Sequence, residues 1–314
     1  MTDRDRANAR LTRSAAYASI AMATALASLK LWAVWQSHST AMLGSLADTG
    51  LDLIASLGTL VGVWIAAMPA DNEHRFGHGK AEALAALFQV VLISLSAVAI
   101  AVRAITEMLA GSRVASAEAG VAVSVAAIVG TFALLAWQRH VIARTGSVAI
   151  KTDNLHYKSD LLLNAAVIAA LVLDRYVGLA GADPLFGMAI AGWLAWGAWH
   201  ASSGALDHLM DKEWAEDKRL RFVERAARHP ELRKLHDLRT RTSGNQDFAQ
   251  FHVNLPARMT VHQAHDVIER VEQDLCQAFP GLELLIHIDP EGHVDDPGNP
   301  LAESDEFAKL EDNG

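Results

Sequence analysis

The chain has 314 residues, 51% of them hydrophobic, with a formal net charge of -9 and one cysteine. A mean hydropathy of +0.17 is too apolar for an ordinary soluble protein. The acidic balance argues against nucleic acid as a partner, and the lone Cys276 excludes an intramolecular disulfide and any cysteine-based zinc cluster.

Met1–Arg13 holds four Arg and two Asp and is expected to be a mobile cytoplasmic tail with no cleavable signal peptide. Ser14–Trp35 is the first apolar span, interrupted only by Lys30, which is expected to snorkel toward an interface. Ala41–Met68 is the second, long enough to cross a ~30 Å hydrocarbon core that needs about 20 helical residues. Pro69–Lys80, PADNEHRFGHGK, is a polar loop that Pro69 opens by stopping the helix. Ala81–Leu109, Val114–Trp137, Ser147–Val177 and Ala182–Leu209 bring the spans to six, with Trp193 and Trp196 suited to an interfacial belt. The basic links Arg4–Arg13, Arg75–Lys80, Arg139–Lys151 and Lys212–Arg221 all fall on one side of such a bundle. By the positive-inside rule both termini are then cytoplasmic.

From Asp211 the composition turns polar. Trp214–His229 reads as an amphipathic helix, Leu235–Thr242 and Phe248–Leu255 as a hairpin across Ser243–Gln246, Val261–Phe279 as a helix capped by Thr260, and Leu282–Asp289 as a third strand. This αββαβ order predicts a small α+β domain of ferredoxin-like, metallochaperone-like type. Residues 295–314 hold seven acids against one Lys and two Pro and are expected to be disordered. The expected boundaries are a tail at 1–13, a six-helix transmembrane domain at 14–210, a cytoplasmic domain at 211–293 and an acidic tail at 294–314.

The second span has two ionisable residues, Asp48 and Asp52. Four apart on a helix, they share one face. A carboxylate at the middle of a membrane helix costs roughly 2.5–3.5 kcal/mol. The pair therefore makes sense with a cation or protons between the two acids. His156 and Asp160 repeat the spacing in the fifth span. One imidazole and three carboxylates suit a tetrahedral cage for a divalent metal such as Zn²⁺. Asp153 and Lys158, near the same helix entrance, are read as interfacial. In the first loop Asp71, His74 and His78 have a metal-ligand spacing that short polar loops also acquire by chance. The cytoplasmic domain offers His236, His252, His265, His287 and Asp289. His287 and Asp289, two apart on a strand, share a face; scattered surface histidines would produce the same pattern.

Together SLADTGLDL, DNEHRFGHGKAEALAAL, DNLHYKSD, the ADP that opens the sixth span, HDLRTRTSG and LLIHIDP resemble the cation diffusion facilitator family. The resemblance runs from the first span to about Pro290 and is strongest to bacterial zinc and ferrous-iron efflux members. It implies a homodimer of six-helix protomers with paired cytoplasmic domains. It implies a transport site of Asp48, Asp52, His156 and Asp160 and a loop site of Asp71, His74 and His78. It also implies a binuclear site of His236, His252, His265, His287 and Asp289, and an ion pair between Lys80 and Asp211. Many zinc-specific relatives carry His where this chain has Asp48, which leaves Fe²⁺, Cd²⁺ and Mn²⁺ open beside Zn²⁺.

The expected function is divalent metal efflux across the bacterial inner membrane by proton antiport. The metal serves as substrate and structural ligand, the bilayer, protons and a second copy are partners, and no organic cofactor is involved. A passive divalent-cation channel and a metal-sensing membrane protein are the rival readings. A hydrolytic metalloenzyme is disfavoured: the chain has no H-E-x-x-H, and no Glu stands beside the intramembrane acids to act as base.

Overall fold

The computed structural model describes residues 3–37, 40–110, 118–177, 182–244, 246–292 and 305–312. Inside its helices several side chains, that of Asp48 among them, lie outside the described residues. The chain divides into a helical unit, Arg6–Leu206, and a second compact unit that groups residues 3–5 with Asp207 onward.

The helical unit carries α1 (Asp3–Ser37), α2 (Thr40–Ala66), α3 (Ala81–Ala110), α4 (Glu118–Thr145), α5 (Val148–Val177) and α6 (Ala182–Leu209). Each has 27 to 35 residues, more than the about 20 that cross a bilayer. Among the described residues, Arg6–Trp32, Thr49–Ala66 and Ala81–Leu109 are also apolar enough to do so. Large apolar side chains such as Val61, Trp64, Leu95, Phe132 and Trp196 point outward, while small or polar ones such as Ala15, Ser19, Ala55, Ser56 and Gln89 fill the interior. That inside-out pattern belongs to helices solvated by lipid, which pack through small residues. Gly62 is one such residue: a Cβ there would collide with that of Ala85, so α2 and α3 approach closely at this point.

Two expectations change here. α1 begins at Asp3 and not at Ser14, so residues 3–13 are helix and not a mobile tail; Ala9 and Thr12 are buried within the unit. The supposed basic link after Trp137 is mostly helix as well. α4 runs on to Thr145, and Gly146, at a φ of 66° that suits glycine, turns the chain directly into α5. Ser147 then accepts from the Ile150 N–H and donates its hydroxyl to Glu82 Oε2 at 2.7 Å, tying the start of α5 to the start of α3.

The second unit follows the expected αββαβ order: α7 (Glu216–Ala226), β1 (Leu235–Ser243), β2 (Gln246–Leu255), α8 (Val261–Ala278) and β3 (Leu282–Pro290). The sheet order is β1-β2-β3, with β1 and β2 antiparallel and β2 and β3 parallel, so α8 is the crossover. Thr260 and Gln263 form the reciprocal capping box that starts α8. Phe222 of α7, Phe251 of β2 and Val271 and Leu275 of α8 are each at most 1% exposed and form the core. Trp214 packs edge-on against Phe222 at 5.7 Å and donates its backbone N–H to Thr240 Oγ1.

The acidic tail is corrected in part. Residues 294–304 lie outside the described residues, but α9 (Glu306–Asp312) is helical and docked. Asp305 accepts the backbone N–H groups of Phe307 and Leu235, Phe307 and Leu310 pack on the core, and Arg219 Nη2 donates to the buried Glu306 at 2.8 Å. Two apolar residues three apart and a capping acid are enough to order a segment whose composition alone reads as solvated.

Between α7 and α8, Arg225 donates twice to Asp274, through Nε at 2.7 Å and through Nη2, and His229 stands 3.2 Å away. The Arg225 hydrogen bond holds the Asp274 carboxyl below its ordinary range. A depressed folded value adds stability above the unfolded pKa of ~3.9 and loses it as pH falls through the folded value. Asp274→Asn is therefore expected to lower the thermal midpoint of the second unit at pH 7, with the gap to wild type closing as pH falls below the unfolded value of ~3.9, as read by circular dichroism.

Candidate metal centres

α2 and α5 build the first centre. His156 Nε2 lies 3.1 Å from Asp52 Oδ1 and 3.7 Å from Asp160 Oδ2, and one ligand atom from each of the three falls within 4.8 Å of the others. The His156 side chain is 8% exposed, while those of Asp52 and Asp160 are 23% and 28% exposed. Its Nε2 is buried without a hydrogen bond of acceptable geometry among the described residues. A ring nitrogen held between two carboxylates and left unbonded is what an incoming cation would complete. Asp48, one turn before Asp52, has its side chain outside the described residues.

One turn before His156 the same helix does the opposite. Asp153, read from sequence as interfacial, is fully buried. Its carboxylate accepts from Ser19 Oγ of α1 at 2.5 Å, Gln89 Nε2 of α3 at 2.9 Å and Gln138 Nε2 of α4 at 2.8 Å. Gln138 Oε1 accepts from Asn154, and Gln89 Oε1 from Thr59 of α2 at 3.0 Å, so both amides are oriented. Tyr157 adds a bond to the Ser19 carbonyl at 2.9 Å and another to Ser56 of α2 at 3.0 Å. α5 is thus pinned to α1, α2, α3 and α4 beside the ligand cluster. The sequence signal for this network was Gln89 and Gln138, amides in otherwise apolar runs.

Lys30, near the end of the first apolar span, donates its Nζ to Thr49 Oγ1 of α2 at 2.6 Å.

The loop centre is local. Asp71 accepts the backbone N–H groups of Glu73 at 2.9 Å and His74 at 2.7 Å, and the His74 bond holds its carboxyl below the usual range. His74 Nδ1 lies 3.5 Å and His78 Nε2 3.4 Å from Asp71, with the rings 4.6 Å apart. His78 Nδ1 is buried without a hydrogen bond, a donor set that fits a divalent metal.

In the second unit strand register builds the third centre. His236 of β1 pairs with His252 of β2, which pairs with His287 of β3, so the three imidazoles cross the sheet in one row. Asp289 Oδ2 lies 3.0 Å from His252 Nδ1 and 3.5 Å from His236 Nε2, and Oδ1 lies 3.5 Å from His287 Nε2. His236, His252 and Asp289 come within metal-ligating reach of one another, and the exposed His287 flanks them. His265, on the exposed face of α8, joins no such group among the described residues. Asp237, 3.8 Å from His252, was missed; it lies at a bulge in β1 with a φ of 49°, which sequence periodicity does not register. Lys80 and Asp211 belong to different units; within its own unit Asp211 lies 3.4 Å from Arg241.

Asp153→Ala would strand the donors of Ser19, Gln89 and Gln138 in a dry interior. A loss of about 3 kcal/mol is expected, read as a lower thermal midpoint of the purified protein in detergent.

The Cation efflux transmembrane domain family matches residues 16–210, and the cytoplasmic domain family of cation efflux proteins matches residues 215–291. The chain is 40% identical over 281 residues to the Cation-efflux pump FieF of Cronobacter sakazakii, covering 90% of this chain and 93% of that one. It is 39% identical over 285 residues to the FieF pump of Klebsiella pneumoniae, covering 91% and 95%. A solved chain of CzrB in its zinc form is 34% identical, with a TM-score of 0.25, over 27% of this chain and 99% of that one. A helical membrane domain followed by a small α+β domain, matched by family over both parts, identifies the chain as a member of the cation efflux, or cation diffusion facilitator, family of metal transporters.

Proposed function

We propose that this chain exports divalent metal from the cytoplasm in exchange for protons, with Zn²⁺ as the leading substrate and Fe²⁺ and Cd²⁺ open. The observation that carries this reading is the buried His156 Nε2, unbonded between Asp52 and Asp160 on two membrane helices. Asp48 completes the proposed ligand set as the fourth donor. Its all-oxygen and nitrogen character, without thiolate, suits an ion that must be released again.

Ligation requires a neutral imidazole and ionised carboxylates, so metal uptake from the cytoplasm expels protons. Protons arriving from the outside then compete for the same atoms and free the ion. The hydrogen bonds around Asp153 hold α5 to four other helices and keep the ligand geometry while the ion changes. The protein works as a homodimer in the bacterial inner membrane with both termini in the cytoplasm. Metal held by Asp71, His74 and His78, and by His236, His252, His287 and Asp289 with His265 nearby, stabilises the cytoplasmic side and is not cargo. The domain boundary near 211 separates the membrane part from the cytoplasmic part.

Sealed vesicles containing the purified protein test this. Offered separately, Zn²⁺, Fe²⁺, Cd²⁺ and Mn²⁺ should enter only when an opposing proton gradient is applied, with internal pH changing as they do. Asp52→Ala and His156→Ala are each expected to reduce uptake to background while the protein still elutes as a dimer. Uptake indifferent to the pH gradient would replace antiport with a passive channel. Metal binding without any flux would leave a sensor. Asp71→Asn should weaken zinc binding at the loop but leave uptake above half of wild type, measured by bound zinc per protomer and by initial rate.

A further inference from the structure

Lys30 belongs to none of the ligand sets above, yet α1 delivers it to the transport site. Its Nζ donates to Thr49 Oγ1 at 2.6 Å, and Thr49 is 1% exposed. Thr49 lies in the α2 segment between Asp48 and Asp52. The ammonium therefore stands beside the α2 segment that carries two of the proposed ligands. Anchoring by a buried hydroxyl, on a side chain long enough to have reached an interface, marks this placement as built and not incidental.

We propose that Lys30 is a resident counter-cation of the transport site and sets the ionic charge that the site accepts. This rests on the transport reading above. The proposed ligands Asp48, Asp52 and Asp160 bring three negative charges when ionised, with His156 neutral. A divalent ion cancels two of them and Lys30 the third, so the loaded site is neutral. A monovalent ion leaves an uncompensated negative charge, and net charge in a low-dielectric interior is costly. Lys30 also weakens the hold on the cargo. Without it the empty site is more negative, binds a divalent cation harder and releases it more slowly. Lys30 is thus a specificity-determining residue that trades affinity for turnover, and it stays in place while the cargo comes and goes.

The test uses the full-length protein in sealed vesicles, with Zn²⁺ as the probe. Lys30→Gln should lower the KM for Zn²⁺ about tenfold and lower maximal turnover by a similar factor, because removing one charge near the site strengthens cation binding. Lys30→Arg should keep both values within about threefold of wild type, because it keeps the charge. Wild-type KM and turnover in Lys30→Gln would overturn the assignment. If Lys30→Gln does not fold, Lys30→Met replaces it with the same outcomes. Failure of both neutral variants to fold, beside a well-folded Lys30→Arg, would make the role structural and also overturn the proposal. Absence of zinc flux in the wild-type protein would sink the transport reading, and this inference with it, and is separable from every outcome above.

Discussion

A charge inside a bilayer must find a partner, and the helical unit is arranged around how α5 meets that demand in two different ways. Asp153 is fully compensated: three donors from three other helices converge on one carboxylate. His156, one turn later, is left incomplete, its Nε2 buried between Asp52 and Asp160 without a proper hydrogen bond. The first arrangement holds helices together, because an orphaned buried donor costs more than a hydrogen bond gains. The second is a candidate place for a cation. One helix thus carries scaffold in one turn and candidate ligands in the next, and only the neighbours differ.

The cytoplasmic centre reaches a similar end by another route. In the sheet, register alone sets three imidazoles in a row, and the buried Asp289 behind them supplies the carboxylate. Its partners sit on paired strands, so their spacing is set by the backbone ladder at ~5 Å and not by side-chain packing. The membrane centre instead depends on how two helices are held against each other, which makes the Asp153 network part of its geometry. The loop centre depends on neither: Asp71 fastens its own turn through the N–H groups of Glu73 and His74.

Helix length and apolarity, strand alternation, the Thr260 cap and the i,i+4 acids could all be read from the chain, because each is a local rule of spacing. The errors also share a cause. Asp153 was placed at an interface because isolated charges in apolar runs usually are. What drew it inward was Ser19, Gln89 and Gln138, residues 15 to 134 positions away in sequence. Residues 305–312 read as solvated because their acids outnumber their apolar residues. Arg219 and the core beneath Phe307 and Leu310 reverse that balance.

The sequence by itself determined the two-part architecture, the six long helices, the αββαβ order and nearly all the candidate ligands, since these follow from periodicity, composition and residue type. Tertiary structure decided which ligands meet. It gathered His236, His252, His287 and Asp289 and left His265 apart on the exposed face of α8. It also assigned Asp153 to the scaffold and the end of the chain to the second unit. Those outcomes depend on the partner that a polar group finds across the fold, and the energy of a buried charge is set by that partner and not by its neighbours in sequence.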